Sequence, residues 1–268
     1  MMNPEKRKLR RQLRNDHLRQ KFRKPIPRAV VPSFFTLMNL FCGFVAIVQI
    51  YEGKIEFGAW LIVLAAVFDM MDGFMARLAN ATSEFGIELD SLSDMVSFGV
   101  APGFLFYSHS LNELMIIGII VSALPVICGS MRLARFNVDA RIEDPDYFKG
   151  LPIPAMAMML VALFLIFQDS GALFEGFKYG INSVIIPVIL LLSLLMVSTV
   201  PFDKIPKFKK GHLRKHRGRV YLFIFYFIAV IMLQEYGLIL VFSIFIFKGV
   251  VMALIRFWKE IHEEPVQG

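Results

Sequence analysis

The sequence predicts an all-α, polytopic membrane protein of about eight transmembrane helices. Three observations lead there. Of its 268 residues, 56% are hydrophobic and 27 are Phe, with a mean hydropathy of +0.60, which is high for a soluble domain. The apolar residues gather into runs near 30–50, 56–78, 92–109, 114–135, 153–168, 181–200, 219–234 and 236–257, most of them close to the length of a membrane-crossing helix. The Lys and Arg residues between those runs are concentrated on alternate sides.

Residues 1–29 are polar and basic, running from Lys6 to Arg28, with Leu9 and Leu13 on one helical side and Leu18 and Phe22 on the other. A solvated or headgroup-lying cytoplasmic segment is expected rather than a strongly amphipathic helix. No small-residue cleavage pattern precedes the first apolar run, so no cleavable signal peptide is expected. The transmembrane domain is expected over 30–257, followed by a polar tail at 258–268. Two of its expected spans are irregular: 92–109 is interrupted by Gly99, Pro102 and Gly103, and 153–168 is short.

Placing the basic tail inside and alternating puts the 136–152 loop, the C-terminal tail and the 201–219 loop on the same side, the last with Lys204, Lys207, Lys209, Lys210, Arg214, Lys215, Arg217 and Arg219. The opposite side carries only Lys54 and Lys178, so both termini are expected in the cytoplasm and the number of spans is even. The net charge of +7 is accounted for by a basic face against anionic membrane lipid. Nucleic acid is not an expected partner, because no zinc-finger spacing or RNP-like motif is present. Cys42 and Cys128 lie in apolar stretches and read as free thiols. His109, His212, His216 and His262 fall in expected loops or tails and read as solvated.

Carboxylates inside apolar spans are costly and turn toward a polar interior. Asp69 and Asp72 lie toward the cytoplasmic end of the second span, and Asp90 and Asp94 open the third. Asp69, Asp72, Ala76 and Arg77 share one helical face, with Gly73 beside Asp72. Gly86, Asp90 and Asp94 recur every four residues and share another. A short turn near 79–85 makes the two helices neighbours, and the small residues Gly73, Ala76 and Gly86 allow close approach. Four carboxylates meeting in a low-dielectric site repel one another and resist full ionisation unless cations are present. Oxygen-only ligands suit Mg²⁺, Mn²⁺ or Ca²⁺, and no His or Cys lies nearby to favour zinc. Two such ions would bind a pyrophosphate and neutralise charge as it leaves, and Arg77 adds a fixed cation for phosphate oxygens.

The pattern D-x-x-D-G-x-x-A-R-x8-G-x-x-x-D-x-x-x-D runs unbroken from Asp69 to Asp94 and resembles the signature of the CDP-alcohol phosphotransferase family. The resemblance implies a six-helix core around a di-metal site, with Asp69, Asp72, Asp90 and Asp94 as ligands and Asp94 as general base. It also implies that Gly73, Arg77 and Ser83 bind the CDP-lipid, together with Asp69, Ala76 and Gly86, and that the protein is a homodimer.

The first span (V-P-S-F-F-T-L-M-N-L-F-C-G), M-R-L-A-R-F-N-V at 131–138 and F-K-G-L-P-I-P-A at 148–155 are similar to the integral-membrane phosphatidylserine synthases within that family. That implies phosphatidyl transfer from CDP-diacylglycerol to L-serine. A serine hydroxyl is a poor nucleophile at neutral pH, so a base near the metals is required. No His-x-Lys pair is present, which argues against a phospho-histidine route and for a sequential reaction. The serine carboxylate requires a cation, for which Arg132, Arg135 and Lys149 are candidates, and Asn39 in the first span can reach the same pocket. The rival readings are another acceptor alcohol (glycerol 3-phosphate, inositol phosphate or choline) and a divalent-cation transporter, in which D-G-x-x-A-R would have no role.

Overall fold

The computed structural model describes residues 30–79, 83–142, 147–168, 176, 180–203 and 217–263. The basic segment 1–29, most of the 201–219 loop and the last five residues, with the charges assigned to them, lie outside the described residues. Helix α1 (Val30–Tyr51) turns through Glu52–Lys54 into α2 (Ile55–Ala79), and the two pack along their length. Gly53 makes that turn possible, with φ +84° where an L side chain would be strained. Helix α3 (Glu84–Asp94) passes through a π-helical turn (Met95–Val100) into α4 (Ala101–His109). Next come α5 (Ile116–Ile142), β1 (Tyr147–Lys149), α6 (Ile153–Phe167), α7 (Asn182–Val197), β2 (Pro201–Asp203) and α8 (Arg217–Glu263).

Among the described residues four stretches are long and apolar enough to cross a membrane: Ser33–Tyr51, Ile55–Ala76, Ile116–Asp139 and Met232–Ile255. Helices α6 and α7 are apolar but shorter. The expected spans 219–234 and 236–257 meet inside α8 at Gln234, whose φ of 48° and ψ of −120° break the helix. The exposed faces are apolar where lipid would lie, as along Ile116, Ile117, Ile120 and Ile127 of α5.

Two segments differ from the sequence expectation. Gly99, Pro102 and Gly103 do not interrupt the third span. The π-helical turn takes up the misfit, with the Ala101 N–H reaching back to the Val96 carbonyl, and Pro102 falls in the first turn of α4, where its missing N–H is tolerated. Helix α6, the short span, is the centre of the molecule: eleven of its fifteen residues are buried, against α2, α4, α7 and α8. It is surrounded by protein rather than lipid, so its length need not match the bilayer.

On the side carrying the 136–152 loop, β1 pairs antiparallel with β2, joining the α5–α6 and α7–α8 connections through Phe148 opposite Phe202. The buried Phe202 ring packs on Phe245 at 5.6 Å and against Gly249, where an added Cβ would collide with it. Gly150, at φ +81°, directs the chain from β1 into α6 so closely that a Cβ would stand 2.2 Å from the Met196 carbonyl.

Candidate active site

The acidic site lies between α2 and α3, with α1 behind both. Asp72 is seven residues from the end of α2, about 10 Å along the axis. Ser83 starts α3 by accepting the Gly86 N–H at 3.0 Å, so the connection between the two acidic helices is short and their faces meet. One oxygen from each of Asp69, Asp72 and Asp90 lies within 4.8 Å of the others. Asp94, 7% exposed, is close enough to all three to interact electrostatically with them. Three of the four carboxylates that the sequence set on facing helices, Asp69, Asp72 and Asp90, are thus brought together, with Asp94 beside them.

Two residues of α1 hold this cluster from behind. Thr36 Oγ1 donates to Asp72 Oδ2 at 2.7 Å, and Asn39 Nδ2 donates to Asp94 Oδ1 at 3.2 Å. In return, Ser93 and Ser97 of the third span donate to the backbone carbonyls of Thr36 and Asn39, each at 2.9 Å. Gly43, one turn further along α1, lets the π-helical turn approach until a Cβ would lie 2.2 Å from Ser97 Oγ. Sequence reasoning singled out Asn39 but missed Thr36, Ser93 and Ser97. The available signal was polar side chains three and four apart in otherwise apolar runs.

The donor set fits divalent cations. It consists entirely of carboxylate oxygens, and Asp90 Oδ1 is buried without a hydrogen-bond partner among the described residues. A buried carboxylate oxygen in that state is costly, and a hard cation compensates it.

The remaining candidates are distributed around this cluster. Gly73 and Ala76 are half-buried on α2 beside Asp72. Arg77 lies on the last turn of α2, its side chain outside the described residues. Gly86 and the Ser83 hydroxyl face each other at the start of α3, where a Cβ on Gly86 would sit 3.1 Å from Ser83 Oγ. Arg132 on α5 is 7% exposed, interacts electrostatically with Asp94, and stacks its guanidinium 5.8 Å from the Phe136 ring centre.

Arg135 is occupied elsewhere. Its Nη1 donates to the Val197 carbonyl at 2.9 Å, and its Nη2 to the Lys149 and Ser198 carbonyls at 3.0 Å. It thus caps the C-terminus of α7 and ties it to β1. Lys149 Nζ pairs with Asp139 at 3.2 Å on the surface. Asn137 bridges α5 to α3 by donating to Ser91 Oγ at 3.0 Å and Glu88 Oε2 at 3.4 Å. His109, expected in a solvated loop, ends α4 with its ring edge-on to Phe164 at 5.0 Å, because α6 presents Phe164 there. Cys42 and Cys128 are free thiols, as expected.

Residues 29–199 match the CDP-alcohol phosphatidyltransferase family, which covers α1 through α7, and the chain belongs to that family. It is similar to a protein of Helicobacter pylori named CDP-diacylglycerol–serine O-phosphatidyltransferase, with 34% identity over 236 residues, 88% of this chain and 95% of the relative. A protein of the same name from Bacillus subtilis is 37% identical over 185 residues, 67% of this chain and 92% of the relative. Another from Methanocaldococcus jannaschii is 39% identical over 178 residues, 66% of this chain and 75% of the relative.

Proposed function

We propose that this chain transfers the phosphatidyl group of CDP-diacylglycerol to L-serine, giving phosphatidylserine and CMP. The observation that carries the proposal is the cluster of Asp69, Asp72 and Asp90 within 4.8 Å, with buried Asp94 beside it, inside the family motif. The names of the similar proteins support serine as the acceptor. Membership in the family argues against a cation transporter.

In this reading Asp69, Asp72, Asp90 and Asp94 hold two divalent cations, Mg²⁺ or Mn²⁺ with Ca²⁺ as a further candidate. Such ions, when bound, supply charge neutralisation to the donor pyrophosphate. Arg77, Gly73 and Ser83 receive the CDP head: a fixed cation, a position without a side chain, and a hydroxyl. Asn39 fixes one oxygen of Asp94, which leaves the other to take the proton from the serine hydroxyl. The hydroxyl oxygen bonds to the lipid-side phosphorus, and the bond from that phosphorus to the bridging oxygen breaks. CMP leaves with the electron pair. Arg132, buried and within electrostatic reach of Asp94, is the cation assigned to the serine carboxylate. Asn39 Oδ1, buried without a hydrogen-bond partner among the described residues, is available to accept from the bound amino acid. The loop charges support a multi-pass protein of the cell (inner) membrane with cytoplasmic termini and a cytoplasm-facing site. A homodimer follows the family resemblance.

The test is to incubate purified protein with CDP-diacylglycerol, Mn²⁺ or Mg²⁺ and each candidate alcohol, then identify the lipid product. Serine-dependent release of CMP with formation of phosphatidylserine is expected. Preferential product from glycerol 3-phosphate, inositol phosphate or choline would overturn the assignment.

A further inference from the structure

We propose that Thr36 is a positioning residue for the metal site, its hydroxyl fixing Asp72 in the orientation that lets it share a cation with Asp69 and Asp90; this rests on the metal-binding reading above. The hydroxyl donates across the helix interface to Asp72 Oδ2, at 2.7 Å and buried. Asp72 is 6% exposed and crowded by like charges from Asp69 and Asp90. Without a restraint, repulsion between carboxylates turns the side chain away from the other ligands. A neutral donor on one oxygen opposes that turn without adding a charge that would compete with the cation.

The backbone around Thr36 is built to hold that hydroxyl in place. Ser93, next to Asp94 in sequence, donates to the Thr36 carbonyl at 2.9 Å, and Ser97 does the same for Asn39. Gly43 removes the side chain that would hold α1 away from the third span. Helix α1 contributes none of the four Asp ligands, yet it touches one acidic residue on each ligand helix, Thr36 on α2's Asp72 and Asn39 on the third span's Asp94. It sets the spacing of the two helices and the rotation of two carboxylates together.

The experiment compares wild type, Thr36→Val and Thr36→Ser in lipid nanodiscs. Mn²⁺ binding is followed by the loss of the free-ion electron paramagnetic resonance signal, and the serine KM is measured in parallel. Thr36→Val keeps the side-chain volume and removes the proton. It is expected to weaken Mn²⁺ binding by about tenfold or more, with the serine KM at saturating Mn²⁺ unchanged and Thr36→Ser restoring wild-type binding. Wild-type Mn²⁺ affinity in Thr36→Val, or equal loss in Thr36→Ser, overturns the proposal. Failure of wild type itself to bind Mn²⁺ overturns the metal reading on which it rests. If Thr36→Val is not recovered folded, Thr36→Ala carries the same comparison.

Discussion

Replacing Asp94 with Asn separates the chemical role of this carboxylate from its structural one. Asp94 is 7% exposed and receives the Asn39 amide at 3.2 Å. An asparagine carbonyl keeps that hydrogen bond and nearly the same volume, so the helix packing persists. The new amide loses the capacity to take a proton and adds a donor among Asp69, Asp72 and Asp90. Loss of a positioned general base costs about 10²–10⁴-fold in rate, or about 3–5 kcal/mol of barrier at 1.36 kcal/mol per decade. The assay is CMP release at saturating CDP-diacylglycerol, serine and Mn²⁺, so that weaker metal binding does not masquerade as lost chemistry. Removing one of four crowded acidic groups is also expected to raise the thermal midpoint of the metal-free protein while lowering kcat. A kcat within tenfold of wild type would refute the assignment of Asp94 as base.

The buried Arg132 and the half-buried Arg135 separate in the same way. Arg132→Ala is expected to raise the serine KM by tenfold or more, on the order of the 1.5–3 kcal/mol of a charge-assisted hydrogen bond, with a smaller change in the KM for the CDP-lipid; steady-state kinetics checks it. Arg135→Lys keeps the charge but cannot fork onto the Val197, Ser198 and Lys149 carbonyls. It is expected to destabilise the fold by about 1.5–3 kcal/mol for each bond lost, read as a lower thermal midpoint, and to leave the serine KM near wild type. Gly150→Ala meets both a positive φ and the Met196 carbonyl 2.2 Å away. It is expected to destabilise by about 1–3 kcal/mol, read as reduced yield and thermal midpoint.

The four long apolar stretches and the spacing of the acidic quartet were legible because each depends on local sequence. Eight motif positions from Asp69 to Asp94 fix which residues share a helical face, and a short turn makes those faces meet. What was not legible depends on which helices cross. Thr36 is one of several polar residues in α1, and only the α1–α2 crossing shows that it meets Asp72. Arg132 and Arg135 look equivalent in R-L-A-R-F-N, yet three residues of helix turn one toward Asp94 and the other toward the end of α7. The continuity of α3, the π-helical turn and α4 was hidden too, because Gly and Pro read as breakers unless a π-helical turn takes up the extra residue. The burial of α6 escaped detection because an apolar run looks the same whether lipid or protein surrounds it.

Product formation by protein stripped with a chelator and then given back Mg²⁺ or Mn²⁺ tests most directly whether the four aspartates serve as a cation cage for the transfer. Activity is expected to fall to background after stripping and to return in proportion to metal occupancy. Full-rate phosphatidylserine synthesis by the stripped protein would contradict it.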